Sequence, residues 1–138
     1  MMNLNVENTF VKVFKGSKRP LILTHDNPDP DSISSALALQ YLLDKVMGVK
    51  ADVAYGGIIG RAENRAMVRL LKLRMHPFSE IRIKGYDAVA LVDTQPETGY
   101  HSLPKGVPFT LVIDHHPLRK TTKAKHIDVF ALVVFRNG

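Results

Sequence analysis

The sequence predicts an α/β fold, an open and mainly parallel sheet with helices on both faces, and three observations lead there. Apolar runs at residues 21–24, 88–92 and 109–113 each suit a buried strand. Each run delivers acid or imidazole at its end: His25, Asp29 and Asp31 after the first, Asp93 after the second, Asp114, His115 and His116 after the third. The first run also passes through a polar loop into a long segment of helical periodicity, which is half of a βαβ unit. In open parallel sheets ligands bind beyond the carboxyl ends of the strands, so these residues are expected along one edge.

Length and composition fit that frame. A chain of 138 residues with 45% hydrophobic content is read as one domain, 1–138, large enough for its own core. Cysteine is absent, which excludes disulfides and thiolate metal sites and agrees with a reducing compartment. The apolar run at 129–135 is far too short to span a bilayer, and residues 1–7 lack a charged-then-apolar signal pattern. The expectation is a cytoplasmic protein with no membrane association. A formal charge of +6 favours an anionic partner, more so because several acids gather in one place and leave the remaining surface more positive.

In chain order, residues 1–17 read as a short amphipathic helix with Leu4, Val6, Phe10, Val11, Val13 and Phe14 apolar and Gly16-Ser17 as its stop. After the strand at 21–24, residues 32–47 form a crossover helix. Ile33, Ala36, Leu37, Leu39, Leu42, Leu43 and Val46 give it a wide apolar face, and Gly48 ends it. Residues 51–55 are a second strand, and Gly56-Gly57-Ile58-Ile59-Gly60 is a flexible connection. A third helix at 61–73 is expected to turn Ala66, Met67, Leu70, Leu71 and Leu73 inward and Arg61, Arg65, Arg69 and Lys72 onto one basic face. That face is either simply solvated or a phosphate-facing stripe. Arg61 and Asn64 stand where free helical N–H groups attract anions, and are candidate substrate contacts. A short strand at 78–83, a Gly85-Tyr86 turn, the strand to Asp93, a loop at 94–108 and the strand to Asp114 complete the pattern.

Asp29, Asp31 and Asp93, brought together in a partly desolvated cleft, would raise one another's pKa, and a divalent cation would relieve the repulsion. With His25 and His115 as nitrogen donors the set is mixed imidazole and carboxylate, suited to Mn²⁺, Fe²⁺, Co²⁺ or Zn²⁺ rather than Ca²⁺. Five ligands suit two ions sharing a carboxylate, spaced about 3.5–4 Å apart and clamping a phosphoryl group for in-line attack. Singly, each piece has a plainer role: Asp29, Asp31 and Ser32 as turn and cap residues, Asp93-Thr94 as a strand-end turn, His115-His116 as an exposed turn before Pro117. Their conjunction at three strand ends favours chemistry.

His25-x-Asn27-Pro28-Asp29-x-Asp31-Ser32, the isolated Asp93 and Asp114-His115-His116-Pro117 together resemble the first three motifs of the DHH phosphoesterase superfamily, in order, across residues 20 to about 120. The resemblance implies two ions, typically manganese. His25, Asp29 and Asp93 would hold one, and Asp31, Asp93 and His115 the other, with Asp93 bridging. It implies that His116 contacts the scissile phosphate and that Asp114 orients its neighbours; Asn27, in the first motif, is a candidate substrate contact beside Arg61 and Asn64. The first motif and the Ser102-Leu103-Pro104 stretch resemble the oligoribonuclease/phosphoadenosine-phosphate phosphatase branch, whose substrates are short oligonucleotides or nucleotides. Pyrophosphate hydrolysis is the alternative activity, and metal or nucleic-acid binding without turnover the non-enzymatic one. The superfamily also carries a fourth acidic motif and a second, substrate-binding domain. Neither follows His116 here, so the domain is expected to be incomplete at its C-terminus. The apolar run at 129–135 then calls for cover, from a longer parent chain or from a homodimer partner.

Overall fold

A computed structural model describes residues 11–96, 98–114 and 116–117. His115 and the apolar run at 129–135, with the homodimer seam expected there, lie outside the described residues. Five strands form one sheet: β1 (Pro20–Leu23), β2 (Asp52–Tyr55), β3 (His76–Pro77), β4 (Ala88–Val92) and β5 (Leu111–Ile113). Their order is β3-β2-β1-β4-β5, and every pairing is parallel. The order reverses between β1 and β4, the position where parallel α/β sheets open a ligand crevice.

Strand pleat divides the core into two layers. Ile22, Val53, Ala90, Val92 and Leu111 face one side, together with Phe14 from the helical turn at residues 11–14. Leu21, Leu23, Ala54, Val89, Leu91 and Val112 face the other. Every residue of β1 and β4 is buried, which is why both read as unbroken apolar runs rather than as alternating ones.

Helix α1 (Pro30–Met47) covers the first layer. Asp29 caps it, its Oδ1 accepting from the Ser32 amide at 2.9 Å; Pro30 fills the first turn, where a missing N–H costs nothing. Gly48 ends it at φ 65°. Ile33, Ala36, Leu39 and Leu43 are its buried apolar positions, while Leu42 and Val46 stay exposed, so the apolar face is narrower than expected.

The α/β class with an open parallel sheet is as expected, and two elements differ from their expected form. Helix α2 (Ala62–Leu70) is shorter than 61–73, and Leu70 and Leu71, expected inside, are 73% and 63% exposed. Asn64 is its buried residue, so the helix is fastened by its first turn, and Lys72 in the left-handed region (φ 51°) stops it. The third strand is His76–Pro77, not 78–83. Pro77 lacks the N–H that a longer ladder needs, and Phe78–Glu80 and Ile83–Gly85 are single 3₁₀ turns. Among the described residues, those turns and Leu103, Val107 and Phe109 pack into the second core layer. No helix among the described residues is long and apolar enough to cross a membrane.

Candidate metal centre

The loop after β1 is fixed from two sides. Thr24 is fully buried, and its amide continues the ladder to the Ala54 carbonyl. On one flank, Asn27 sits in the left-handed region (φ 54°), its amide donating to the Gly56 carbonyl at 3.0 Å and its Oδ1 accepting from the Ile58 amide at 2.9 Å. Asn64 Nδ2 donates to the Pro28 carbonyl at 3.4 Å. On the other flank, the Asp26 amide donates to the Tyr100 carbonyl, and Asp26 Oδ1 accepts from Ser102 Oγ at 2.7 Å. Gly56 occupies the space between: a Cβ there would overlap both Asp26 Oδ1 and Ser102 Oγ.

This bracing aims His25. Its Nδ1 lies 2.7 Å from the Asp26 carbonyl, which can only accept, so Nδ1 carries hydrogen and Nε2 is the nitrogen free to bind an ion. Nε2 stands 3.5 Å from Asp93 Oδ2 and 3.8 Å from Asp29 Oδ1. Hydrogen bonding to Asp93 raises the His25 pKa from 6.5 to about 9, against the opposing effect of burial and with help from the Asp26 carbonyl and the charge of Asp29. Without a metal, therefore, the proton on Nε2 balances part of the local negative charge.

Asp93 ends β4 in the left-handed region (φ 58°) and is buried; its amide donates to the Ile113 carbonyl at 2.8 Å. Asp tolerates that conformation better than a β-branched residue would, and the turn sends the carboxylate across the top of the sheet. At the tip of β5, Asp114 is buried, with Oδ1 accepting from His116 Nδ1 at 2.6 Å and Oδ2 from Gln95 Nε2 at 2.8 Å. Gln95 Nε2 also donates to the Pro117 carbonyl at 3.0 Å, tying the segment after the strand to the β4 loop.

Two triads result, His25–Asp29–Asp93 and Asp93–Asp114–His116, each with ligand atoms within 4.8 Å of one another and with Asp93 common to both. They border a cleft of about 540 Å³ that Asp31, Thr98 and Tyr100 also line. Buried Asp93 and Asp114 with Asp29 and Asp31 make a concentration of negative charge that one protonated imidazole does not balance, and a nitrogen held ready faces it. This donor set fits a first-row divalent ion.

The sequence-derived candidates fall into three groups. His25, Asp29, Asp93, Asp114 and His116 are brought together in the triads. Asp31, in the first turn of α1, lines the cleft outside both triads, and His115 lies outside the described residues. Asn27, Arg61 and Asn64 are not among the residues lining the cleft. The two asparagines hold backbone beside it, and Arg61 is exposed at the start of α2. Sequence reasoning missed Asp26, Gln95 and Gly56; it noticed Ser102 only as part of a tripeptide.

A parallel sheet with an acid-rich, imidazole-bearing cleft at its switch point defines an α/β domain with a candidate metal site. The chain belongs to the DHH family: residues 19–133 match the DHH family, N-terminal domain. The family is one of metal-dependent phosphoesterases. The chain is also similar to the uncharacterized protein MJ1633 of Methanocaldococcus jannaschii, 42% identical over 120 residues. That match covers 86% of this chain and 24% of the relative, so the chain spans about a quarter of the length of that protein.

Proposed function

We propose that this domain hydrolyses phosphodiester or phosphomonoester bonds of short oligonucleotides or nucleotides, with two manganese ions as cofactor. The observation that carries the reading is Asp93, one carboxylate shared by two ligand triads and held in place by a strained backbone and a cross-strand amide bond. His25, Asp29 and Asp93 would hold one ion, and Asp31, Asp93 and His115 the other. When bound, a pair of such ions polarises phosphoryl oxygens and lowers the pKa of water to near neutrality.

The protein's own groups do the rest. Five carboxylates repel a phosphate ester from the bare cleft, so substrate entry depends on their neutralisation. His116 is half exposed at the cleft and anchored through Nδ1 on Asp114, which leaves Nε2 for contact with the scissile phosphate. Gln95 holds Asp114 in the orientation that fixes His116. The reading places this chemistry in the cytoplasm, in keeping with the absence of cysteine.

The test is hydrolysis of a 5′-phosphorylated dinucleotide and of 3′,5′-bisphosphoadenosine with and without Mn²⁺, with pyrophosphate as comparator. Mn²⁺-stimulated cleavage lost in Asp93→Ala supports the reading. Preferential turnover of pyrophosphate would replace its substrate, and silence on all three substrates with Mn²⁺, Mg²⁺ or Co²⁺ would overturn it.

A further inference from the structure

Tyr100 is the large aromatic side chain at the cleft, and it is 69% exposed. An exposed tyrosine alone is ordinary. This one differs in how firmly its backbone is held. Its carbonyl accepts the Asp26 amide, next to the ligand His25, and its own amide donates to Thr98 Oγ1 at 3.2 Å. Two residues on, Ser102 Oγ is bonded to Asp26 Oδ1, and Leu103 is buried in the second core layer. Between them His101, kept neutral by burial, stands edge-on to Phe109 with ring centroids 6.1 Å apart and takes the Leu103 amide on Nδ1 at 3.2 Å. The chain leaves the ring itself uncovered while fixing the position from which it projects.

A fixed, uncharged aromatic face beside a phosphate-directed centre has few partners in water. Phosphate and pyrophosphate offer it nothing, because they lack an apolar or π surface. A nucleobase offers a flat π face separated from its phosphate by one sugar, and base stacking on aromatic side chains tolerates any base. A cleft of about 540 Å³ is also in the range that small organic ligands occupy, more room than a phosphate group alone requires.

We infer that Tyr100 is a base-stacking platform, which makes the substrate of this site a nucleotide rather than pyrophosphate or a simple phosphomonoester. The inference rests on the proposed phosphoesterase reading. Stacking on one residue is worth a factor of roughly 5 to 150 per base, so Tyr100→Ala lowers the ratio of kcat/KM for a dinucleotide to that for glycerol phosphate, which has no ring, by about tenfold or more, and Tyr100→Phe restores it.

The chain has no tryptophan, so Tyr100→Trp introduces a single reporter whose signal does not depend on turnover. With Mg²⁺ present, a 5′-phosphorylated dinucleotide quenches that fluorescence saturably and pyrophosphate does not. Labelled dinucleotide that binds in equilibrium dialysis without quenching, or a substrate ratio unchanged in Tyr100→Ala, overturns the platform and leaves the hydrolase reading standing. A dinucleotide that neither binds nor is cleaved overturns both.

Discussion

The His25–Asp93 pair makes the stability of the metal-free protein depend on pH in a window set by its own geometry. His25 has a pKa of about 9 when folded against 6.5 for an unperturbed imidazole, the largest cause being its hydrogen bond to Asp93. Below pH 6.5 the imidazole is protonated in both states and the pair contributes in full. Between 6.5 and about 9 the unfolded chain gives up the proton while the folded one keeps it, so the contribution falls by about 1.4 kcal/mol per pH unit. Above that window it is gone. The full swing is at most about 3.5 kcal/mol, an upper bound because the His25 side chain is still 21% exposed and partly screened by water. For a domain of this size that corresponds to a Tm shift on the order of 10 °C.

The assay is thermal or urea unfolding in chelator at pH 6.0 to 9.5, at fixed ionic strength, for the wild type and Asp93→Asn. Other groups titrate in the same range, so the difference between the two curves is the measured quantity; asparagine keeps the shape and tolerates the left-handed backbone. The wild type should lose its advantage over Asp93→Asn as pH rises through the window. Parallel curves would refute the reasoning. The same proton competes with metal: calorimetric titration with Mn²⁺ near pH 7.5 in buffers of different ionisation enthalpy should show about one proton released per protein from this site.

Three further outcomes are expected. Gly56→Ala forces a methyl into the Asp26–Ser102 contact and should cost about 1–3 kcal/mol in urea unfolding while weakening Mn²⁺ binding; unchanged metal affinity would show that the loop is not braced from there. Gln95→Leu removes one hydrogen-bond donor from the buried Asp114 Oδ2 and should cost about 1–3 kcal/mol in the same measurement, together with reduced kcat in the hydrolysis assay. Leu91→Ala removes a fully buried β4 side chain from the second core layer and should lower stability by about 2–5 kcal/mol; a loss under 1 kcal/mol would mean that this layer is loosely packed.

The strand tips were legible because strands buried on both faces leave unbroken apolar runs, and the first polar residue after each run marks the edge of the sheet. The start and end of α1 were legible because Asp29, Pro30 and Gly48 act through local backbone chemistry. The end of α2 was not. Leu70 and Leu71 carry the periodicity of a buried face, but the helix is held by Asn64 and left-handed Lys72 follows within two residues of its last turn. Ser102 and Asp26 are 76 positions apart, and Gln95 and Asp114 are 19 apart. Nothing in either neighbourhood specifies its partner, so only the fold could show those bonds.

The strained positions explain why the centre sits where it does. Asn27 and Asp93 are non-glycine residues at positive φ, and they follow β1 and β4, the two strands on either side of the switch point. Such a residue costs about 1–3 kcal/mol and persists only where its surroundings over-determine it. Here each strained residue gives its amide to the strand or turn beyond: Asn27 to Gly56 after β2, and Asp93 to Ile113 on β5. The outer strands thus hold the inner tips in the conformations that turn the His25 loop and the Asp93 carboxylate toward each other. A glycine at position 93 would relax the backbone at once but remove the ligand shared by both triads. The strain is therefore tied to the one carboxylate on which the proposed chemistry converges.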